Sequence, residues 1–324
     1  MPFVRWFTDP VAVLRADDGL PPDHPAKPWP NPHRVRTNPA IRGLAFIVAA
    51  VALYTVAVAV YHGVTAQAQP GFYVDRAMTL GAFAAAYLVV VMVTEQRVPP
   101  FELAPRRWTG LAGGLAFGAA AVLLTVGLLA LVGAYRVTGF NAAYSPWAAL
   151  LSAGLVAAVA EEMIFRGMAF RLLEDAFGTW WAVAAVSVSF GAAHLANPDA
   201  TLLGALGVAV EGGLVTTAVY VLNRSLWWCV GEHFAWNIVQ GPILGSPISG
   251  TGSAEGWLTA QFSGPDWLTG GIFGIEASIV PIALLTPIGV VLLAAARRQG
   301  RIVAPWWRRR ATGADQVGSE TAKL

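Results

Sequence analysis

From Gly110 to Val132 the chain reads GLAGGLAFGAAAVLLTVGLLALV, a run of 23 residues with no ionisable side chain. At about 1.5 Å of rise per helical residue, this run covers the roughly 30 Å hydrocarbon core of a bilayer. No other feature constrains the fold as tightly. Lipid offers no partners to backbone N–H and C=O groups, so the segment must satisfy them within itself, as a helix.

The pattern recurs along the chain. Residues 43–61 and 77–93 are clean spans, and a fourth begins near Trp147 and runs through Ala160 into a glutamate pair, continuing as helix to about residue 175. Further spans cover about 179–195, 201–222, 225–244 and 277–296, which makes about eight. The expected fold class is therefore all-α, a polytopic transmembrane helical bundle. Composition agrees: only 12% of the 324 residues are charged and 56% are hydrophobic, whereas a soluble domain carries about 25% charged residues. A net charge of +2 gives no reason to expect a nucleic-acid partner, and a lone cysteine, Cys229, rules out an intrachain disulfide framework.

Five segments follow. Residues 1–42 form a Pro-rich polar tail without an apolar signal region, so the first span is expected to direct insertion. Residues 43–146 hold the N-terminal transmembrane helices, 147–245 a polar-bearing core, 246–296 an outer loop and the last transmembrane helix, and 297–324 a basic tail. The loop at 245–271, rich in Gly and Ser with two Trp, reads as a surface or interfacial loop with anchoring aromatics. With the N-terminus inside, all but two of the 21 Lys and Arg fall in inner segments; only Arg76 and Arg136 lie outside. That asymmetry fits the positive-inside rule and predicts both termini to be cytoplasmic.

Ionisable groups within membrane helices are costly, about 2.5–3.5 kcal/mol each on insertion scales, and point to function by default. Here they gather in spans four to seven: Glu161, Glu162 and Arg166 in AVAEEMIFRG, His194 in SFGAAHL, and Glu232, His233 and Asn237 in GEHFAWNIVQG. Glu162 and Arg166 are an i,i+4 pair able to form a salt bridge, and Glu161 lies about 100° around the helix, free to point elsewhere. His233 and Asn237 also share a face, and Phe190, one turn before His194, is placed to wall the site. Counting along the spans puts Glu161, His233 and Asn237 about 9, 12 and 18 Å from the inner face, and His194 about 22 Å. Convergence on one site therefore requires the fifth span to begin later or dip. Each residue has a plainer explanation: a structural Glu–Arg pair, interhelical hydrogen bonds for the histidines, packing for Cys229, and either role for Glu211. Of the five histidines, however, only His194 and His233 lie well inside spans, and both fall in the half with the glutamate pair.

These residues resemble the CAAX protease and bacteriocin-processing (CPBP, or Abi) family of intramembrane peptidases. Its Glu-Glu-x-x-x-Arg motif is matched by Glu161, Glu162 and Arg166. Its Phe-x-x-x-His motif is matched by Phe190 and His194, and its His-x-x-x-Asn/Asp motif by His233 and Asn237. The three occur in the family's order, over about residues 147–245. The resemblance implies a helical bundle whose conical cavity opens toward the cytosolic side. It also implies that Glu161 and His194 activate the attacking water, that His233 and Asn237 stabilise the oxyanion, and that Glu162 and Arg166 orient them. A carboxylate in a dry cavity and donors aimed at a developing oxyanion suit that chemistry.

A metal route remains open alongside, because Glu161, His194 and His233 are three possible Zn²⁺ ligands. HExxH is absent, and a metal-free glutamate mechanism would use the same residues. The expected function is hydrolysis of membrane-associated or lipidated, CAAX-like peptides, with peptide substrate and lipid bilayer as partners, in a plasma membrane, the bacterial inner membrane being the better fit. One alternative is a non-catalytic peptide- or partner-binding protein of the same fold. Another is a proton-coupled transporter using Glu161, Glu211 and the histidines, against which the crowding of polar residues into one half counts.

Overall fold

The computed structural model describes residues 39–65, 67, 69–94, 100–252 and 255–305. The Pro-rich tail before residue 39, Arg97 and the basic tail after residue 305 lie outside them. Helices form where the apolar runs require them: α1 (Pro39–Thr65), α2 (Phe72–Thr94) and α3 (Thr109–Leu131). Next come the composite helix α4 (Trp147–Phe177), α5 (Thr179–Ala193, extended by a 3₁₀ turn to Ala196) and α6 (Leu202–Asn223). A seventh, α7, runs through Leu226–Ile238 and continues as a π-helical turn to Ile243, and the last long helix (Ile279–Arg298) is called α9 below.

Seven helices are long and apolar enough to cross a membrane among the described residues. The expected count of about eight is reached only with α7. That helix falls short on apolarity because it carries Glu232, His233, Asn237 and Gln240, and it runs through the interior of the bundle. Lipid-facing positions are apolar, for example Val48, Val56, Val188 and Val291, as expected where the surrounding solvent is hydrocarbon.

Small residues decide how closely α7 can be approached. On α3, Gly110, Gly114 and Gly118 recur every four residues on the face against α7. A Cβ at Gly114 would overlap the Trp228 carbonyl oxygen, and one at Gly118 the Glu232 carbonyl oxygen. The two backbones therefore touch, as at small-xxx-small membrane interfaces. That contact fixes the axial position of the helix bearing His233.

One element was not anticipated. Strands β1 (Tyr135–Phe140) and β2 (Leu258–Phe262) pair antiparallel, from Tyr135 opposite Phe262 to Phe140 opposite Leu258. A four-residue helix, α8 (Asp266–Thr269), follows β2. The expected surface loop at 245–271 is thus partly ordered by a strand more than a hundred residues away, while its Trp267 stays exposed. Neither short run signals its partner, which lies more than a hundred residues away in the sequence.

The bundle has two unlike ends. The sheet end carries β1, β2 and the loop after α7, tied by Tyr135 Oη to the Leu244 carbonyl (2.9 Å) and by the Asp199 amide to the Gly250 carbonyl (2.9 Å). The arginine end is knitted by buried ion pairs. Arg224 binds Glu174 through two hydrogen bonds, at 2.6 and 2.9 Å, and Arg42 binds Asp175 at 2.9 Å. Arg171 binds Glu102 at 3.2 Å, and the Arg107 guanidinium donates to the carbonyls of Asn223 and Arg224.

Candidate active site

The middle of α4 positions the glutamate pair. Glu162 is fully buried, and its Oε1 accepts from Arg166 Nη1 at 2.7 Å and from His233 Nδ1 at 3.0 Å. The salt bridge read from the i,i+4 spacing is formed, and it also reaches α7. Arg166, equally buried, lays its guanidinium over the Phe190 ring, 4.7 Å from the centroid. Its Nε and Nη2 have no hydrogen-bond partner among the described residues, so the aromatic face supplies that side of the cation with its electrostatic contact. Phe190 also meets Phe165, His194 and His233, with ring centroids at 4.7, 5.1 and 6.2 Å. It is the wall on which the site is assembled. A Cβ at Gly212 of α6 would collide with this ring.

Glu161 points away from that network, as its 100° offset predicts. It is half-buried, and its Oε2 has no hydrogen-bond partner among the described residues. His194 Nδ1 lies 2.8 Å from the Phe190 carbonyl. A carbonyl can only accept, so Nδ1 holds the proton and Nε2 of the neutral ring keeps its lone pair. The same reasoning applies to His233, whose Nδ1 faces the Glu162 carboxylate; its Nε2 can donate only as an imidazolium, for which Glu162 is the counter-ion. Asn237 donates one amide hydrogen to the Ala153 carbonyl at 2.8 Å. Its second N–H is left over for another acceptor.

Glu161, His194, His233 and Asn237 line a single cavity of about 270 Å³, together with Phe165, Ala153, Ala157 and Ala193. Glu162 and Arg166 lie behind its wall, in contact with His233 and Phe190 respectively. The depth read for Glu161 took its span as about 30 Å, but α4 is 31 residues long, which removes the mismatch between Glu161 and His194. Glu161 stands 16 residues from Phe177, roughly 24 Å at helical rise, which matches the height of His194 on α5. The backbone of α4 is π-helical on both sides of the pair, at Leu150–Val156 and Met163–Phe170, a distortion common at functional sites.

Sequence reasoning missed the outer rim. Asn197, Ile248, Ser249 and Thr251 complete the cavity lining. Asn197 Nδ2 donates to the Ser249 carbonyl at 2.6 Å, and Ser249 donates from its amide (2.7 Å) and hydroxyl (2.8 Å) to Glu276. Burial pushes the Glu276 carboxyl above its ordinary range, against the opposing effect of hydrogen bonds from Gln240 and Ser249 and of nearby His194. The only signal for this rim was the Gly/Ser richness of the loop, which says nothing about what it covers. Glu211 and Glu232 are both buried and lie outside the cavity lining, and Thr216 donates to Glu232 at 2.8 Å. Cys229 is buried and donates to the Ser225 carbonyl.

The tentative metal set fits poorly. Glu161, His194 and His233 share the cavity, yet among the described residues no three His, Cys, Asp or Glu side chains are grouped closely enough to hold a metal ion.

Compared with known protein families, residues 143–239 match the Rce1-like model, described as type II CAAX prenyl endopeptidase Rce1-like. The resemblance carried by the three motifs is therefore shown over that segment. It contains all six polar motif residues and covers under a third of the chain, leaving α1 to α3 and α9 outside. Comparison with curated proteins and with solved structures gives no match.

Proposed function

We propose, with the Rce1-like match over residues 143–239 as premise, that this chain is an intramembrane endopeptidase cutting membrane-associated peptides with a glutamate-activated water. One observation carries the reading: Glu161, His194, His233 and Asn237 face a common cavity, and Glu161 Oε2 has no hydrogen-bond partner among the described residues.

A water held between Glu161 and His194 Nε2 attacks the scissile carbonyl carbon and gives its proton to Glu161. The carbonyl oxygen becomes an oxyanion, which takes hydrogen bonds from the imidazolium of His233 and the second N–H of Asn237. Glu161 then passes the proton to the leaving nitrogen as the C–N bond breaks. Donors set in advance around the oxyanion are worth about 3–4 kcal/mol each in low dielectric. Holding His233 by Glu162, and Glu162 by Arg166, keeps that donor in place. The setting we propose is a bacterial plasma membrane, with lipidated or transmembrane peptides as substrates.

The test is purification in detergent of wild type, Glu161→Ala and His194→Ala, followed by incubation with pooled lipidated and transmembrane peptides, with and without a strong chelator. Mass spectrometry should find products from wild type alone, unchanged by the chelator. Identical profiles for all three proteins would leave a cavity that binds without cutting.

A further inference from the structure

The active cavity opens at the sheet end of the bundle. Its deep part is formed by Glu161, Phe165 and His233, and its rim by Asn197, Ser249 and Thr251, of which Thr251 is exposed. Toward the arginine end it is stopped by the buried Glu162–Arg166 pair and the Phe165–Phe190 contact, and beyond these lie the Arg224–Glu174 and Arg42–Asp175 ion pairs.

Charge identifies the ends. Arg42, Arg107, Arg171, Arg224, Arg297, Arg298 and Arg301 all belong to the arginine end, whereas among the described residues the sheet end holds only Arg76 and Arg136. Basic residues in short segments flanking the spans are retained on the cytoplasmic side. The arginine end therefore faces the cytoplasm, and the cavity opens away from it, opposite to the cytosolic opening that the family resemblance implies.

Two further features favour a polypeptide arriving at the sheet end. Between the outer halves of α4 and α5 the cavity is flanked by Ala153, Ala157 and Ala193, side chains small enough to let an extended backbone approach closely. A second cavity, of about 650 Å³ and lined by Asn141, Tyr144, Ser145, Glu255 and Thr259, opens on the same end. The segment Gly245–Ser249 separates the two, with Gly245 and Pro247 on one and Ile248 and Ser249 on the other.

We infer that the substrate is a membrane-anchored polypeptide whose scissile bond lies at the extracytoplasmic end of its anchor, and not a cytoplasmic lipidated tail. The substrate half of this inference rests on the peptidase reading; the orientation half does not. Two full-length single-cysteine proteins test the orientation in a Cys229→Ala background: Thr251→Cys at the rim and Arg298→Cys at the arginine end, both positions being exposed. In sealed right-side-out membrane vesicles, a membrane-impermeant maleimide should label Thr251→Cys, and should label Arg298→Cys only after permeabilisation.

For the substrate, two reporters share one transmembrane anchor and carry the same cleavable segment at its outer or its inner end. Only the outer one should be cut, with cutting lost in Glu161→Ala. Reversed or equal labelling of the cysteines, or cutting of the inner reporter alone, overturns the inference and leaves the peptidase reading standing. Labelling as expected with neither reporter cut upholds the orientation but overturns the peptidase reading, and with it the substrate assignment.

Discussion

Removing the Arg166 charge tests the internal logic of the site most directly. The guanidinium and the Glu162 carboxylate are both fully buried, 2.7 Å apart, with His233 as the carboxylate's other partner. Arg166→Met keeps the volume and leaves Glu162 with a titratable imidazole as its only partner. Breaking a buried pair from one side costs about 3–5 kcal/mol, because the remaining charge stays desolvated, and loss of the contact with Phe190 adds to that. Glu162→Gln should cost a comparable amount by stranding the guanidinium. The double variant strands neither charge, so its loss should fall well short of the sum. The coupling energy should lie toward the upper end of the roughly 0.5–3 kcal/mol seen for contacting residues. Equilibrium unfolding in mixed detergent–SDS micelles reads all four corners of the cycle. Effects that add to within about 0.5 kcal/mol, the spread seen for independent sites, would refute the claim that Arg166 acts by holding Glu162.

Other outcomes follow from the same geometry. Glu161→Gln should lower the rate of peptide cleavage by about 10²–10⁴-fold, the usual contribution of a general base, and leave the unfolding midpoint near wild type because Oε2 has no described partner to lose. Gly118→Val should destabilise the protein by at least the roughly 1–3 kcal/mol of an overpacked core, since its Cβ would overlap the Glu232 carbonyl; unfolding in micelles checks it. Glu276→Gln should change how stability varies with pH. The folded-state pKa of Glu276 lies above the ordinary glutamate value of 4.5, so the folded state binds more protons. The protonated carboxyl's contribution is therefore fully present below that value and is lost as pH rises through the folded pKa. Wild type measured against the variant should be relatively more stable at low pH than at neutral pH.

The spans were legible because charge-free length is a local property, and all long helices begin and end within a few residues of where the apolar runs do. Glu161, Glu162, Arg166, His194, His233 and Asn237 stood out because charge and imidazole are rare inside apolar helices, and spacing on one helix is enough to pair Glu162 with Arg166. What spacing along one helix does not contain is a contact between helices. Nothing local connects His233 to Glu162, Asn197 to Ser249, or Asn237 to the Ala153 carbonyl, and the rim follows from those contacts. The π-helical stretches of α4 were equally hidden, because they arise from how the helix is held against its neighbours. The β1–β2 pair escaped notice for the same reason: each strand is unremarkable until its partner is known.

That sheet also bears on the order in which the molecule can be completed during synthesis. β1 is made before α4, but β2 follows α7, so the connection between α3 and α4 waits for most of the chain before its strand is paired. The His233 contact to Glu162 likewise waits for α7, 71 residues later. A nascent chain that has inserted only through α6 holds the Glu162–Arg166 pair without the helix that screens it from lipid. Long-range closures of this kind are slow and leave partners exposed meanwhile. A stall or truncation before α7 would thus produce a chain with membrane-buried charge on display, a mark by which a membrane quality-control protease could select it.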